Sequence, residues 1–599
     1  MLNVSPLFHS SITTFPRTIS AQVEFDMIDV LAQGNCITTA NSTANIGGVT
    51  QAVDGLTEIK NYMTEEPNYL LLDGSFFTPP KTTDNALDSV GWWSATISDV
   101  SGNFALPYPQ LTLALTLPFN SLGLTFNFSD LSNNYCNSIQ VITTDINSIQ
   151  NIYAVPPTSG SYFWSQALVD IVNVSITFYS TNNPYRRVHM TEILFGDRFI
   201  WSGTNIFEVD LIEELDPLGN TATPKELSAS IANNLNTFNI YENGLQKKQT
   251  LKYSLSLIYP TGLPETILMG TYYLYNWRND NNFLSSTLYA RDLLDIMTGT
   301  TFYSYNYVGT PISLYDLAVS IIQDFEAQSG IYFNYNVDLA FKNIYTDGVL
   351  PILSHHDALM LVAQAGMATM YVNRFNVFYI KQSISMVPIN TMLYPYELTL
   401  NMQETYPKIS TQDAFNYFTI NVFNNIIADS PTTIYSNDLT INGTIAIWIN
   451  YNNSASADTC LAVVTGGNLI AAQYYTNAAY LTINGSGIAT IIITGNILTN
   501  TSVSKTVNNA GAQPINQINL NNPLVTDDAI ATNILNWFVA ECLNIYLYEV
   551  ETWTDPSLEV GDLVTWDSQY YTGTKLAKII RQEFRFSGTL AGSVNGKGS

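Results

Sequence analysis

The chain has 599 residues, 46% hydrophobic and only 12% charged, which supplies apolar material for several cores and excludes a solvated, disordered chain. Its net charge is −27, from 22 Lys+Arg against 49 Asp+Glu, which excludes a protein that grips nucleic acid through a basic footprint. Cys36, Cys136, Cys460 and Cys542 lack CxxC spacing, and His9, His189, His355 and His356 form no HExxH pattern. Neither a thiol metal site, a disulfide framework nor a histidine zinc motif is therefore expected, and no cofactor is called for.

The 37 Tyr and 28 Phe, together with abundant Thr, suit half-buried pleated surfaces. Asn and Gly suit the turns between them. The expected class is mainly β with a few helices, an α+β chain. No run of about 18 apolar residues occurs, so no stable membrane insertion is expected. The first 18 residues lack the charged end and apolar run of a secretory signal.

In chain order, residues 19–31 read as a strand, with Val23, Phe25 and Met27 alternating against Gln22, Glu24 and Asp26. Short strands follow at 111–117, 122–128, 139–142 and 172–179, the second with Leu122, Leu124, Phe126 and Phe128 on one face and the last with Val172, Val174, Ile176 and Phe178. Such spacing predicts a jelly-roll sandwich over 62–203. Strands at 206–212, 254–259 and 267–277 resume the character of the start. The sandwich therefore reads as an insertion into a first β-domain made of 1–61 and 204–300.

Leu314, Leu317, Ala318, Ile321, Ile322 and Phe325 have helical spacing, with Ser313 and Asp316 as a capping box and Gly330 as the end. A shorter helix is expected over 356–365, then a hairpin of 369–372 and 377–380. These elements define an α/β connector at 301–399. Beyond it, 400–599 reads as a second β-domain with strands at 446–450, 480–483, 488–493, 563–566 and 575–586. A late helix is expected over 527–548, capped by Thr526. The Gly- and Ser-rich end, 588–599, reads as loose.

Several stretches resemble the hub and minor structural proteins of tailed-bacteriophage tails and contractile baseplates. In the closing region these are Asn522-Pro523-Leu524-Val525, Pro556-Ser557-Leu558-Glu559-Val560-Gly561-Asp562 and Phe586-Ser587-Gly588-Thr589-Leu590. Earlier ones are Pro224-Lys225-Glu226-Leu227-Ser228, Met269-Gly270-Thr271-Tyr272-Tyr273 and Ala290-Arg291-Asp292-Leu293-Leu294. Leu72-Asp73-Gly74-Ser75, Gly91-Trp92-Trp93-Ser94, Ser98-Asp99-Val100-Ser101-Gly102 and Pro184-Tyr185-Arg186-Arg187-Val188 look like a galactose-binding-like sandwich.

The resemblance implies two β-barrel-like hub domains, an inserted jelly roll and a small helical connector. It implies a non-enzymatic homotrimeric ring at the tail tip or baseplate of a virion, assembled in the host cytoplasm. Its partners would be the tail tube or distal tail protein, the tape-measure protein, and fibre or tip proteins. DNA would pass through the lumen during genome ejection without sequence-specific contact.

Sandwiches of this type bind sugars through loops, so Trp92, Trp93, Trp164, Arg186 and Arg187 are the candidates for a host surface glycan. Against this, Trp92 and Trp93 also suit a sandwich core, and the two arginines also suit pairing with local acids. A tail-tip adhesin is the alternative function, with a glycan-degrading enzyme behind it. For the enzyme, Glu213-Glu214 and Asp527-Asp528 are the paired carboxylates, and His355-His356-Asp357 is an acid–base or metal candidate. Each has an ordinary local role too: a turn for the first pair and helix starts for the others.

Overall fold

A computed structural model describes residues 2, 4–14, 16–44, 46–54, 90–121, 123–129, 133–233, 247–279, 284–305, 307–382, 396–398, 402–411, 415–508, 516–542, 544, 546–566 and 575–598. Over these residues the chain is mainly β with six helices, as its composition requires. The helices are α1 (Pro6–Ile12), α2 (Val30–Gly34), α3 (Leu293–Thr298), α4 (Leu314–Ser329), α5 (His355–Ala365) and α6 (Asp528–Cys542).

The largest sheet has thirteen strands, drawn from both ends of the chain. Thr18–Ile28 pairs with Gly196–Ser202 on one side and Thr250–Ile258 on the other. The path continues through Pro264–Asn279, Ser285–Arg291 and Glu226–Ala232 to Ile206–Glu214. There it crosses to the C-terminal strands, because Ile206–Glu214 pairs antiparallel with Lys575–Phe586. Leu590–Gly598, Tyr546–Thr552 and Lys408–Thr411 complete it, and Leu563–Trp566 and Tyr396–Leu398 join beside Lys575–Phe586. The ladder runs on from one set of strands to the other. Two apolar interiors lie along it. Val23, Phe25, Tyr253, Tyr272 and Phe584 belong to the first, and Tyr548, Val550, Leu558 and Val594 to the second.

The inserted sandwich is bounded differently from 62–203. Cys36–Ala40 already lies in its five-stranded sheet, paired with Gln110–Ser121. Gly196–Ser202 belongs to the large sheet. Entry and exit are adjacent, since Ile28 pairs with Gly196 and the Asp29 N–H donates to the Phe195 carbonyl at 2.9 Å. Asp29 also accepts from the Ala32 N–H at 3.1 Å, which starts α2 where the sequence pattern continued the strand to residue 31. Leu124, Phe126 and Phe128 face the interior together; Leu122 and the motif Leu72-Asp73-Gly74-Ser75 lie outside the described residues. On Leu168–Thr181 the inward set is Ile171, Val174, Ile176 and Phe178, not Val172, because a register shift beside Ile171 moves the alternation by one.

Helix α4 follows its pattern closely. Ser313 accepts from the Asp316 N–H at 3.1 Å and donates to its carboxylate at 2.7 Å, and Gly330 ends the helix. Helix α5 packs beside it, with the hairpin Ala368–Val372 and Val377–Gln382 and a third strand, Asn334–Val337, below.

Residues 417–508, with Gln517–Leu520 paired parallel to Tyr417–Ile420, form a separate five-stranded sheet. The short strands expected there are parts of two long ones, Tyr417–Asn450 and Ala478–Asn508, paired along their lengths. Gly443 pairs with Gly485 inside the ladder. The ribbon bends at register shifts near Pro431 and Tyr435. The Asn452 N–H donates to the Ile434 carbonyl at 3.0 Å and the Ser456 N–H to Asn496 at 2.9 Å, so the chain curls back over Ile434, Leu481, Ile483 and Ile491.

Helix α6 is capped by Asp527, which accepts from the Ala529 N–H at 2.6 Å, rather than by Thr526. It ends at Cys542, because Tyr546–Thr552 alternates Tyr548 and Val550 into the core as a strand. The end of the chain is not loose: Leu590–Gly598 lies between two strands, with Leu590 and Val594 buried. Its glycines serve close packing. A Cβ at Gly592 would fall 1.8 Å from the Glu583 carbonyl oxygen. Gly592→Ala is therefore expected to destabilise this part of the sheet by about 1–3 kcal/mol, read as faster amide exchange in 546–552 and 590–598.

Candidate functional site

Trp92 and Trp93 are sealed from solvent, at 0% and 1% exposure, so neither can offer a face to a sugar. Trp92 packs on Phe178 within the sandwich core, and Trp93 stacks on His189 with ring centroids 3.7 Å apart. Burial pushes the His189 imidazole down to about 3, so it is neutral at ordinary pH. Trp164 is half-buried against Tyr153, 5.0 Å away edge-on. Arg187 reaches back to the Ser94 carbonyl at 3.0 Å, and the Arg186 N–H donates to Ser98 at 2.9 Å. The two arginines thus tie the chain at 184–188 to the loop at 94–98. The structure does not gather the five candidates into one open cleft, since two of the three tryptophans are interior.

The candidate carboxylates also have structural roles. Glu214 pairs with Arg581 at 3.2 Å on adjacent strands. Asp527 caps α6, and Asp528 pairs with Lys505 at 3.3 Å. His355 bonds Thr300 at 2.9 Å and Asp324 at 3.0 Å, while His356 bonds the Ala222 carbonyl at 2.8 Å and Asp357 at 3.0 Å. These contacts fix the start of α5 against α3, α4 and the first β-section. Among the described residues no cluster of three or more His, Cys, Asp or Glu could hold a metal ion.

Glu213 stands at the centre of a buried polar site. It is fully buried on Ile206–Glu214, where the large sheet crosses to the C-terminal strands. Arg374, also fully buried, comes from the connector hairpin and grips both carboxylate oxygens, at 3.2 and 2.9 Å. Lys225 donates to Oε1 at 2.8 Å, and Gln582 bonds Oε2. Arg374 also donates to the carbonyls of Pro556 and Leu558, the latter at 2.7 Å, and the Gln582 amide shares Leu558 at 2.9 Å. Burial alone would raise the Glu213 carboxyl; Arg374 and Lys225 outweigh it and hold it down at about 2.

The turn carrying those carbonyls is the Pro556 to Asp562 motif. Gly561 adopts φ 93°, and Asp562 accepts from the Glu559 N–H at 2.8 Å. The neighbouring motif Asn522-Pro523-Leu524 seats the connector: Asn522 donates to the Leu361 carbonyl at 2.8 Å, and Thr346 donates to the Leu524 carbonyl at 2.7 Å. A cavity of about 270 Å³ opens beside the junction, with Lys225, Tyr371, Lys381, Glu559 and Lys578 in its walls. Lys578 is itself buried against Glu541 at 3.5 Å. The pattern of the sequence assigned Arg374 only to a hairpin turn. The signal missed was a cation placed among Tyr371, Val372 and Phe375 in a chain that has only 22 Lys+Arg.

No family model matches this chain, and no curated protein matches it. Among solved structures it is similar to a tail protein from Neisseria meningitidis, at 8% identity and TM-score 0.39 over 66% of this chain and 93% of that one. It is also similar to a tail protein of prophage MuSo2 from Shewanella oneidensis, at 11% identity and TM-score 0.38 over 66% and 95% of the two chains. A third is a prophage tail protein from Listeria monocytogenes, at 9% identity and TM-score 0.35 over 67% and 91%.

Proposed function

We propose that the chain is a structural subunit of a phage-type tail, placed in the hub ring at the distal end. There it links the tail tube to tip or fibre proteins and encloses the channel taken by the tape-measure protein and then DNA. The observation that carries this reading is the single frame. Strands from both ends of the chain run in one ladder, and Glu213, Arg374 and Lys225 lock the connector into it at the crossing point. A hub transmits load between tube and tip, so its sections must not slide. A buried charge gripped from three sides serves that need, because breaking one grip leaves an uncompensated ion.

Three of the motifs that resemble the hub family support this frame: the Pro556 to Asp562 turn, Asn522-Pro523, and Asp292 at the start of α3. The working form is a homotrimer in the virion, assembled in the host cytoplasm. The net charge of −27 suits a lumen that DNA crosses without sticking. Chemical cross-linking of intact particles, read by mass spectrometry, tests the placement. Links from this chain to tube and tape-measure proteins are expected. Links to peripheral fibres alone would overturn it.

A further inference from the structure

Between residues 417 and 508 the chain carries only four charged side chains, Asp429, Asp438, Asp458 and Lys505. One face of this charge-poor body bears a row of rings. Trp448 lies opposite Tyr480, and Tyr480 opposite Gln473 on the next strand, so the three side chains cross three strands on one face. From the connector, Tyr303 stacks flat on Trp448, with centroids 3.8 Å apart and planes 8° from parallel. Tyr475 lies 5.4 Å from Trp448, and Tyr305 lies 4.9 Å from Tyr475. The Gln473 amide donates to the Tyr305 hydroxyl at 3.1 Å.

Stapling the connector to this body accounts for Tyr303, but it leaves Trp448 39% and Tyr305 44% exposed. The same face runs on through Ala446, Thr482 and Ala471 to an exposed row of Thr444, Asn484 and Asn468. Asp324, whose field reaches Tyr475, is engaged by His355 at 3.0 Å. The face therefore offers open ring surfaces, carboxamides and hydroxyls, without a free charge to select an ion. A pyranose presents the matching surface: C–H faces that lie on rings and hydroxyls that bond amides.

We infer that this face, centred on Trp448, Tyr305 and Gln473, binds a neutral oligosaccharide. The inference does not rest on the hub reading, and it concerns a face outside the inserted sandwich. It also puts the small row of Ala446, Thr482 and Ala471 where a second sugar ring would lie.

Calorimetric titration of the full chain with maltohexaose, cellohexaose, mannohexaose and chitohexaose tests it, with a hyaluronan fragment of equal length as the anionic control. At least one neutral hexasaccharide is expected to bind while hyaluronan does not. Tyr305→Ala and Gln473→Ala, both at exposed positions, are each expected to weaken binding by about tenfold or more with the melting curve unchanged. The inference fails if no neutral hexasaccharide binds at millimolar concentration, or if both variants bind as the parent does. It fails equally if the variants leave sugar binding alone and instead change the sedimentation of the chain, which would mark the face as a contact between copies.

Discussion

Replacing Arg374 with Met is expected to destabilise the fold by about 3–5 kcal/mol, the largest effect of any single substitution at the junction. The residue is fully buried and makes four bonds, two to Glu213 and two to the carbonyls of Pro556 and Leu558. Its removal leaves Glu213 buried with only Lys225 to balance its charge, and takes the Arg374 donor from the Pro556 carbonyl, while Leu558 keeps its bond from Gln582. The same site sets an acid limit. The folded Glu213 carboxyl is held below its unfolded value, so its contribution is complete above about pH 4.5 and is lost as pH falls toward 2. Urea unfolding followed by tryptophan fluorescence measures both effects. Arg374→Met should lower the midpoint strongly at pH 7, and should reduce the acid-dependent loss seen in the parent. Adding Glu213→Gln to Arg374→Met should cost less than the two single changes together. A loss under about 1 kcal/mol for Arg374→Met would show that the junction does not hold the sections together.

Asp292→Asn is expected to stabilise the protein at pH 8, the reverse of the usual outcome for a buried polar change. Asp292 caps α3, accepting from the Leu294 N–H at 3.1 Å, and burial pushes its carboxyl up to about 7. The folded chain therefore keeps the proton through a range where the unfolded chain, with a value near 4, has lost it. Stability falls as pH rises between those two values, and the full cost is present above the upper one. Asn caps a helix as well as Asp and cannot ionise. The variant should match the parent near pH 4 and exceed it by about 2–4 kcal/mol at pH 8. An equal offset at every pH would mean that the ionisation of Asp292 is not the cause.

The sequence pattern was sufficient wherever one local rule decided the outcome. Alternation placed Val23, Phe25 and Met27 inward, and the Ser313–Asp316 box with Gly330 set both ends of α4. It was insufficient where partners come from far along the chain. Nothing local to Ile206–Glu214 says that its free edge belongs to Lys575–Phe586, some 370 residues away by the Glu213–Gln582 pairing. That pairing joins the two sets of strands in one ladder. The glycines of Leu590–Gly598 suggested looseness, yet close backbone approach explains Gly592 and Gly598, and approach is a tertiary property. Trp92 and Trp93 were ambiguous for a related reason. Aromatic residues satisfy a core and a binding platform equally well in sequence, and only burial separates Trp92 and Trp93 from Trp448 and Tyr305. Neither of the latter stood out, because a Trp in an Asn- and Ile-rich strand and a Tyr in a connector loop meet only in the fold.

The hub reading is tested most directly by cryo-electron microscopy of the particles that carry this chain. A threefold ring around a central channel, coaxial with the tail tube, with the Glu213–Arg374 junction joining the sections of each subunit, is the predicted result. A monomer, or a peripheral spike with no channel through it, would contradict the account.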